Sequence, residues 1–377
     1  MIQTPKEESH EKCSTTKYYF VLFPAEEAFL VTVVNLSLSE IQNLALKAFT
    51  QNGCNSQNAE ALTRTVAAAE RDGSHSHGLF RVPGYVASLR SGKVNGAADP
   101  QIFNKSPVIL NVNGDGGYAP LAIERGIPAL AKSATEFGIA AMTVTNTHHF
   151  AALWPEVEAL AEKKLVGMAC VRSMPVVAPF GSNTPLFGTN PLAFAWPRKN
   201  KPPFVFDMAT SAMAHGEVSI AARDNFSVPL GTGLDESGNE TTDPAAILKG
   251  VLLPFGGYKG SVVATMVELL AAGATGEGFS FEAKKADNGD GGPPRGGEFF
   301  LAFSPTLLAE DGWEDHCEKF FDKYEAIPGA RLPGARRHKN RANTADRSID
   351  AKLVATIQEL CSRPGSETIT ESPIGCL

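Results

Sequence analysis

The 377-residue sequence predicts a mixed α/β fold in which a helical N-terminal part precedes a sheet-forming part. Apolar residues recur at helical spacing within residues 36–104. Short apolar runs that are typical of strands alternate with helical segments from about residue 105 to 270. No strand is followed by G-x-G-x-x-G, because the nearest run, Gly114–Gly117, has the wrong spacing. The sheet is therefore expected to be α/β but not of the Rossmann type.

The helical part begins with a clear start signal. Ser37 and Glu40 form an S-x-x-E capping box, and Gly53 suits the position just after the helix. A second helix is predicted over residues 56–71, because Asp72-Gly73 then interrupts the apolar pattern.

The sheet-forming part contains the strands and most of the remaining helices. Strands are predicted at 108–112, 139–144, 166–171, 192–195, 204–206 and 299–303, and helices at 121–137, from about 155, and at 261–273. The last of these helices carries few charges and is expected to be buried. Residues 282–298 are predicted to be a loop, and a terminal helix is predicted over 349–361.

Four regions follow from these elements. Residues 1–35 form an extension without an assigned function, and 36–104 form the helical part. Residues 105–325 form the α/β domain, and 326–377 add a basic segment and a helix that packs back on the helical part.

Composition excludes several classes of protein. The net charge of −7 argues against nucleic acid, which favours a basic surface. The most apolar early stretch, residues 18–34, is interrupted by Pro24, Glu26 and Glu27, so no membrane span is predicted. The six cysteines include no CxxC pair, which indicates a reduced, cytoplasmic protein.

The segment Arg71-Asp72-Gly73-Ser74-His75-Ser76-His77-Gly78, followed by Arg81, is the first with a chemical signature. Histidine exchanges protons near neutral pH, and a neighbouring serine can orient its ring. Arginine matches a carboxylate with a planar pair of donors. The alternative interpretation is a polar turn with solvated histidines.

A second segment, residues 147–155, joins a predicted strand to a helix start and contains His148 and His149. Such junctions commonly contact ligands in α/β proteins. No metal is predicted there, because adjacent histidines rarely bind one ion and no H-E-x-x-H motif or cysteine cluster is present.

Three further segments have ligand-binding composition. Residues 186–191 and 206–211 are rich in small polar residues, and His215-Gly216-Glu217 follows them. Residues 254–261 form a glycine-rich turn with Lys259 at a helix start, without the spacing of a P-loop. Residues 331–339 form the densest basic cluster, which suits the 2′-phosphate of NADPH or, alternatively, a solvated surface.

In this order the segments resemble the type-2 malate/L-lactate dehydrogenase family, over about residues 36–341. Ser-His-Ser-His-Gly at 74–78 and His-His-Phe-Ala-Ala-Leu-Trp-Pro at 148–155 look like its Δ1-piperideine-2-carboxylate/Δ1-pyrroline-2-carboxylate reductase branch. The resemblance implies that family's non-Rossmann NAD(P)-binding fold, with a helical domain on the substrate side.

The resemblance also implies roles for individual residues. Ser76 corresponds to the charge-relay serine, His77 to the proton donor, and Glu217 to the third relay position, where the branch carries aspartate. Arg81 and Thr189 correspond to substrate contacts. The implied cofactor contacts are His149, Phe150, Ala151, Ala152, Leu153, Asp207, Met208, Ala209, Tyr258 (a histidine in the branch), Lys259, Arg331, Leu332, Pro333, Gly334, Ala335, Arg336 and Arg337.

The implied activity is reduction of a cyclic ketimine by hydride from NADPH, or alternatively NADH, in a homodimer with an interfacial active site. The same acid and carboxylate clamp would also reduce a 2-oxo acid, so a malate, lactate or ureidoglycolate dehydrogenase is the alternative. Malate would need a second cation, whereas the segment from Phe150 to Trp154 is apolar and suits a saturated ring. A ligand-binding protein without turnover and a metal hydrolase are the remaining alternatives.

Overall fold

The computed structural model describes residues 32–149 and 151–363. Most of the predicted extension, residues 1–31, lies outside the described residues, and so does the predicted cofactor contact Phe150.

The described chain forms helices and strands in alternation. The helices are α1 (Leu38–Gln51), α2 (Ser56–Asp72), α3 (Val82–Arg90), α4 (Ala119–Phe137), α5 (Trp154–Ala161), α6 (His215–Arg223), α7 (Pro244–Lys249), α8 (Tyr258–Glu268), α9 (Ser280–Ala286), α10 (Pro305–Leu308), α11 (Trp313–Glu325), α12 (Ala335–Ala342) and α13 (Ala351–Ser362). The strands are β1 (Val33–Leu36), β2 (Gln101–Ser106), β3 (Ile109–Asn113), β4 (Ile139–His148), β5 (Val166–Val171), β6 (Leu192–Trp196), β7 (Phe204–Met208), β8 (Gly233–Leu234), β9 (Glu240–Thr241), β10 (Val251–Leu252), β11 (Arg295–Phe303) and β12 (Arg347–Asp350).

A seven-stranded sheet organises the α/β part, with strand order β2-β3-β4-β11-β5-β6-β7. β3 and β4 are parallel, and the other neighbouring strands in this sheet are antiparallel. A Rossmann sheet is mostly parallel, so the prediction of a non-Rossmann α/β fold is confirmed. α4 and α5 cover one face through a core that includes Leu130, Leu160 and Phe300.

The helical part has its own core. Ser37 caps α1 with the predicted capping box, and Gly73 ends α2 in the left-handed conformation at φ 78°. α13 packs against α1 and α3, so that Ile357 shares a buried core with Ile41. Residues far apart in the chain therefore build one layer, which carries the segment 74–81 on its inner side.

Two elements differ from the sequence prediction. α8 starts at Tyr258 and continues into a π-helical turn at Leu269–Gly273, but it is buried on one side only: Ala264 and Val267 are buried, whereas Val262, Met266 and Leu269 are exposed. A low charge content indicates that a helix is apolar. Whether such a helix is buried depends on the elements that pack against it.

The predicted loop over residues 282–298 is shorter than expected. α9 occupies its start, and β11 already begins at Arg295. Gly296 lets the strand pass Arg172, since a Cβ at this glycine would lie 2.8 Å from the guanidinium carbon. The glycines that indicated a loop instead allow a close contact within a strand.

Candidate active site

The turn between α2 and α3 is held by one buried carboxylate. Glu70 is 1% exposed and accepts hydrogen bonds from the Leu79 amide at 2.7 Å and, through its other oxygen, contacts His75 Nδ1 at 2.6 Å. This contact raises the pKa of His75. Gly78 lies against the same carboxylate, where a Cβ would be only 2.0 Å from Oε1. Glu70 therefore fixes the turn that presents Ser76 and His77.

Ser76 and His77 contact each other as a pair. Ser76 Oγ lies 3.0 Å from Nδ1 of His77, and Nε2 at the opposite side of the ring has no hydrogen bond among the described residues. Burial, followed by the nearby charges of Arg81 and His149, lowers the pKa of His77 to about 3. In the ligand-free protein the ring is therefore neutral at neutral pH.

Arg81 is buried next to this pair. Its Nε donates a hydrogen bond to the Ser76 carbonyl at 2.8 Å, and its guanidinium lies 5.4 Å from the Phe80 ring centroid. The start of α6 packs against it, since a Cβ on Gly216 would lie 2.8 Å from Nη2 of Arg81. Burial and then Arg81 lower the pKa of His215 to about 4. Arg81 thus creates a positive potential that suits an anion, next to two imidazoles that are neutral at neutral pH.

Glu217 lies in the first turn of α6, one residue after Gly216, whose Cβ position is 3.2 Å from the Ser76 Cβ. The backbone of this turn therefore touches the Ser76–His77 pair. The Glu217 side chain itself is exposed and makes no hydrogen bond or ion pair among residues 32–149 and 151–363.

Two predicted cofactor segments meet at the start of α5. Asp207, at the end of β7, accepts hydrogen bonds from the amides of Leu153 at 2.8 Å and Trp154 at 3.1 Å. Ala151, Ala152 and Leu153 are buried around this contact, whereas Met208 is exposed. The first amides of α5 are thus occupied by a side chain and are not available to a phosphate.

The basic segment forms the start of α12 and docks at the same place. Arg337 donates to the Val205 carbonyl at 2.9 Å, and its guanidinium lies 5.2 Å from the Trp154 ring centroid. Gly334, at φ 86°, allows close approach to that carbonyl. Arg331, Pro333 and Arg336 are exposed, Leu332 is buried and Ala335 is intermediate. Neither Arg331 nor Arg336 has an ion-pair partner within the described part of the chain.

The remaining predicted residues lie along the 206–211 segment. Thr210 donates to the Thr189 carbonyl from its amide at 2.8 Å and from its hydroxyl at 2.9 Å. The Phe255 amide donates to the Thr210 carbonyl at 3.0 Å, which brings the glycine-rich turn alongside. Tyr258 and Lys259 follow this turn and are exposed at the start of α8.

His149 leads into a buried acidic cluster. Its Nε2 lies 3.6 Å from Oε1 of Glu156 and 3.6 Å from Oε2 of Glu298. Burial raises the pKa of Glu156 to about 8 and that of Glu298 well above its ordinary value. Neighbouring His148 is also buried, and burial lowers its pKa to about 4.

Sequence reasoning missed Glu70, His215 and Glu298. Glu70 carries one detectable signal, an acidic residue on the apolar face of an alanine-rich helix. His215 was seen within its segment, but its approach to Arg81 depends on the packing of α6. Glu298 looked like part of a polar loop and is instead a buried strand residue.

None of the helices in the described residues is long and apolar enough to cross a bilayer.

Comparison with known proteins assigns the chain to a family. The family model described as malate/L-lactate dehydrogenase matches residues 36–358. A Δ1-pyrroline-2-carboxylate reductase of Ancylobacter novellus is 42% identical over 335 residues, which cover 88% of this chain and 98% of the relative. A Δ1-pyrroline-2-carboxylate/Δ1-piperideine-2-carboxylate reductase of Pseudomonas putida is 43% identical over 330 residues, 87% of this chain and 96% of the relative.

A solved structure gives the same result. The crystal structure of Δ1-piperideine-2-carboxylate reductase from Pseudomonas syringae pv. tomato aligns with a TM-score of 0.82 and 41% identity. The alignment covers 87% of this chain and 99% of that protein. The predicted fold type is confirmed, and the family implies an oxidoreductase that uses a nicotinamide cofactor. This chain belongs to the malate/L-lactate dehydrogenase family.

Proposed function

We propose that the protein reduces Δ1-pyrroline-2-carboxylate and Δ1-piperideine-2-carboxylate to L-proline and L-pipecolate, with NADPH as the hydride donor. The observation that carries the proposal is the joint placement of a histidine acid and a buried guanidinium. Ser76 orients His77 at 3.0 Å, and Ser76 also holds Arg81 through its carbonyl oxygen at 2.8 Å. Relatives at 42–43% identity that are named as reductases of these imines support the choice of substrate.

Arg81 anchors the carboxylate of the cyclic imine. Its planar pair of donors matches the geometry of a carboxylate, and its charge attracts one. Gly216 keeps space beside Nη2 that any side chain would fill. Thr189, on the loop before β6, is the second proposed substrate contact.

His77 supplies the proton to the imine nitrogen. Its pKa of about 3 reflects burial and the positive charge of Arg81. A substrate carboxylate at Arg81 offsets that charge, so substrate binding raises the pKa of His77 and allows it to take up a proton. Proton uptake is thereby coupled to occupancy by an acid-bearing substrate.

Glu217 is proposed as the third member of the relay, through its place in the α6 turn that touches Ser76. The side chain must turn towards the pair when ligand is bound. Glu217→Asp and Glu217→Gln test this role. A kcat that falls in the glutamine variant but not in the aspartate variant would support a need for the negative charge.

The cofactor site is proposed along β7, the start of α5 and the start of α12. A nicotinamide cofactor supplies the hydride when it is bound there. The residues fit such a group, because Arg331 and Arg336 are exposed guanidiniums without a described anionic partner. They suit the 2′-phosphate that distinguishes NADPH from NADH. The other proposed cofactor contacts are His149 to Leu153, Asp207 to Ala209 and the Tyr258–Lys259 pair, and a hydrogen bond between Leu153 and Asp207 joins the first two of these segments.

We also propose a cytoplasmic homodimer. Tyr258, Val262, Met266 and Leu269 are exposed and recur every three or four residues, which places an apolar stripe along α8. Such a stripe is typical of an interface between subunits. The four described cysteines, Cys54, Cys170, Cys317 and Cys361, are unpaired, which suits a reducing compartment.

A steady-state panel tests the proposal. Both cyclic imines, pyruvate and oxaloacetate are assayed with NADPH and with NADH. The expected result is a kcat/KM for one or both imines that is at least about tenfold above that for either 2-oxo acid. Faster reduction of oxaloacetate or pyruvate would instead make the protein a 2-hydroxy-acid dehydrogenase.

A further inference from the structure

A buried cluster beside the candidate active site brings two carboxyl groups and one imidazole together. Glu156 and Glu298 have side chains that are 10% and 2% exposed, and His149 is 6% exposed. His149 directly follows β4, Glu156 lies in α5 and Glu298 lies in β11. A third carboxylate, Asp207, faces the cluster but is satisfied by two backbone amides and the nearby Arg337.

One nitrogen of this cluster lacks a hydrogen bond. Nε2 of His149 is buried without a hydrogen-bond partner among the described residues, whereas the carboxyl groups of Glu156 and Glu298 contact each other. Buried polar atoms nearly always have a partner, so the His149 nitrogen calls for one. The His149 nitrogen, nine-tenths buried and directed at both carboxylates, is an independent indication that a ligand is shared.

The distances fit a common cation better than direct hydrogen bonds. His149 Nε2 lies 3.6 Å from an oxygen of each glutamate, beyond the range of an N–H···O bond. One ligand atom from each of the three residues lies within 4.8 Å of the other two. Two atoms bound to one zinc ion at about 2.0–2.2 Å are about 3.3–3.6 Å apart.

We propose that His149, Glu156 and Glu298 bind one divalent transition-metal ion of the zinc class. Two carboxylates neutralise a divalent cation, and one imidazole with two carboxylates suits zinc or cobalt better than magnesium. Three protein ligands leave a fourth position for water. The ion ties β4, α5 and β11 together next to the proposed cofactor segment.

One member of the cluster borders a cavity. Glu156 lines a cavity of about 560 Å³ between α2, α4 and α5, together with Arg71, Ala152 and Lys163. The site does not depend on which substrate the enzyme reduces.

Metal binding by the purified full-length protein tests the site. After dialysis against a chelator, the protein is titrated with Zn²⁺ and, for its visible absorption, with Co²⁺. The expected result is one ion per chain, a Co²⁺ spectrum typical of nitrogen and oxygen ligands, and a higher melting temperature in Zn²⁺. Glu156→Gln and Glu298→Gln should each weaken binding about tenfold or more. Glu162→Gln is the control and should leave binding unchanged, because Glu162 is exposed at the C-terminal end of α5.

Two results would overturn the proposal. One is a wild-type protein that binds neither ion. The other is ion binding that both glutamine variants leave unchanged. In the first case, a higher melting temperature of Glu298→Gln at neutral pH would mean that the carboxyl pair holds protons instead. Neither result bears on the imine assay, so failure here is separable from failure of the proposed reaction.

Discussion

The indole nitrogen of Trp154 donates a hydrogen bond to Oδ2 of Asp72 at 3.1 Å. This bond joins the first residue of α5 to the last residue of α2. Arg341 of α12 contacts the same carboxylate oxygen at 2.6 Å and binds Glu158 of α5 at 2.9 Å. The fully buried carboxylate of Asp72 thus connects the end of α2, which precedes His75 and His77, with the start of α5 and with α12.

Loss of that hydrogen bond should cost stability. Trp154→Phe keeps a ring for Arg337 but removes the donor to Asp72, so we expect the free energy of unfolding to fall by about 1–2 kcal/mol. Trp196→Phe is the matched control, because its buried indole nitrogen has no oxygen acceptor among the described residues and faces the weakly accepting sulfur of Cys317. Equal losses in the two variants, measured by denaturant unfolding, would contradict the role of the Asp72 contact.

Removal of the proposed acid should lower turnover with little effect on the fold. For His77→Ala we expect kcat for imine reduction to fall by about 10²–10⁴, the usual contribution of a positioned proton donor. His316→Ala, exposed on α11, should keep wild-type kcat. Retention of full NADPH-dependent activity by His77→Ala would show that another group donates the proton.

Arg81 should act on substrate affinity. A lysine keeps the charge but lacks the planar pair of donors, so Arg81→Lys should raise KM for the imine by about tenfold or more. KM for the cofactor should change little, which separates a carboxylate clamp from general damage. A larger effect on the cofactor KM than on the imine KM would indicate that Arg81 binds the cofactor and not the substrate carboxylate.

Buried histidines should make the protein sensitive to acid. The folded-state pKa of His148 is about 4, below the ordinary 6.5, so its contribution to stability is present above pH 6.5 and is lost as the pH falls towards 4. We expect this residue to account for on the order of 3 kcal/mol between those limits. His148→Gln should therefore flatten the fall of melting temperature with pH, whereas His316→Gln should leave it unchanged.

The apolar stripe on α8 should control assembly. Met266→Lys places a charge in the middle of the stripe, and we expect light scattering after size exclusion to show a shift from dimer towards monomer. Leu308→Lys is the control, since Leu308 on α10 is equally apolar and 69% exposed but lies outside the stripe. A wild-type monomer, or a dimer that persists in Met266→Lys, would place the interface elsewhere.

Local chemistry explains why much of the architecture could be predicted. The capping box at Ser37 and the glycine after α2 act within a few residues of the positions that they control. The same holds for Ser76 and His77, which are neighbours in the chain and whose contact needs no other element. The missing G-x-G-x-x-G motif likewise excluded a Rossmann sheet without knowledge of strand order.

Long-range packing decided the rest. The Leu153 and Trp154 amides are capped by Asp207, more than fifty residues away, and Glu298 is buried only because β11 lies between β4 and β5. Burial and charge partners set the pKa values of His77 and Glu156, and neither quantity can be read from nearby residues. Sequence by itself therefore determined the α/β class and the residue types of the site. Only the tertiary structure decided which of them share a buried environment, because burial sums contributions from elements far apart in the chain.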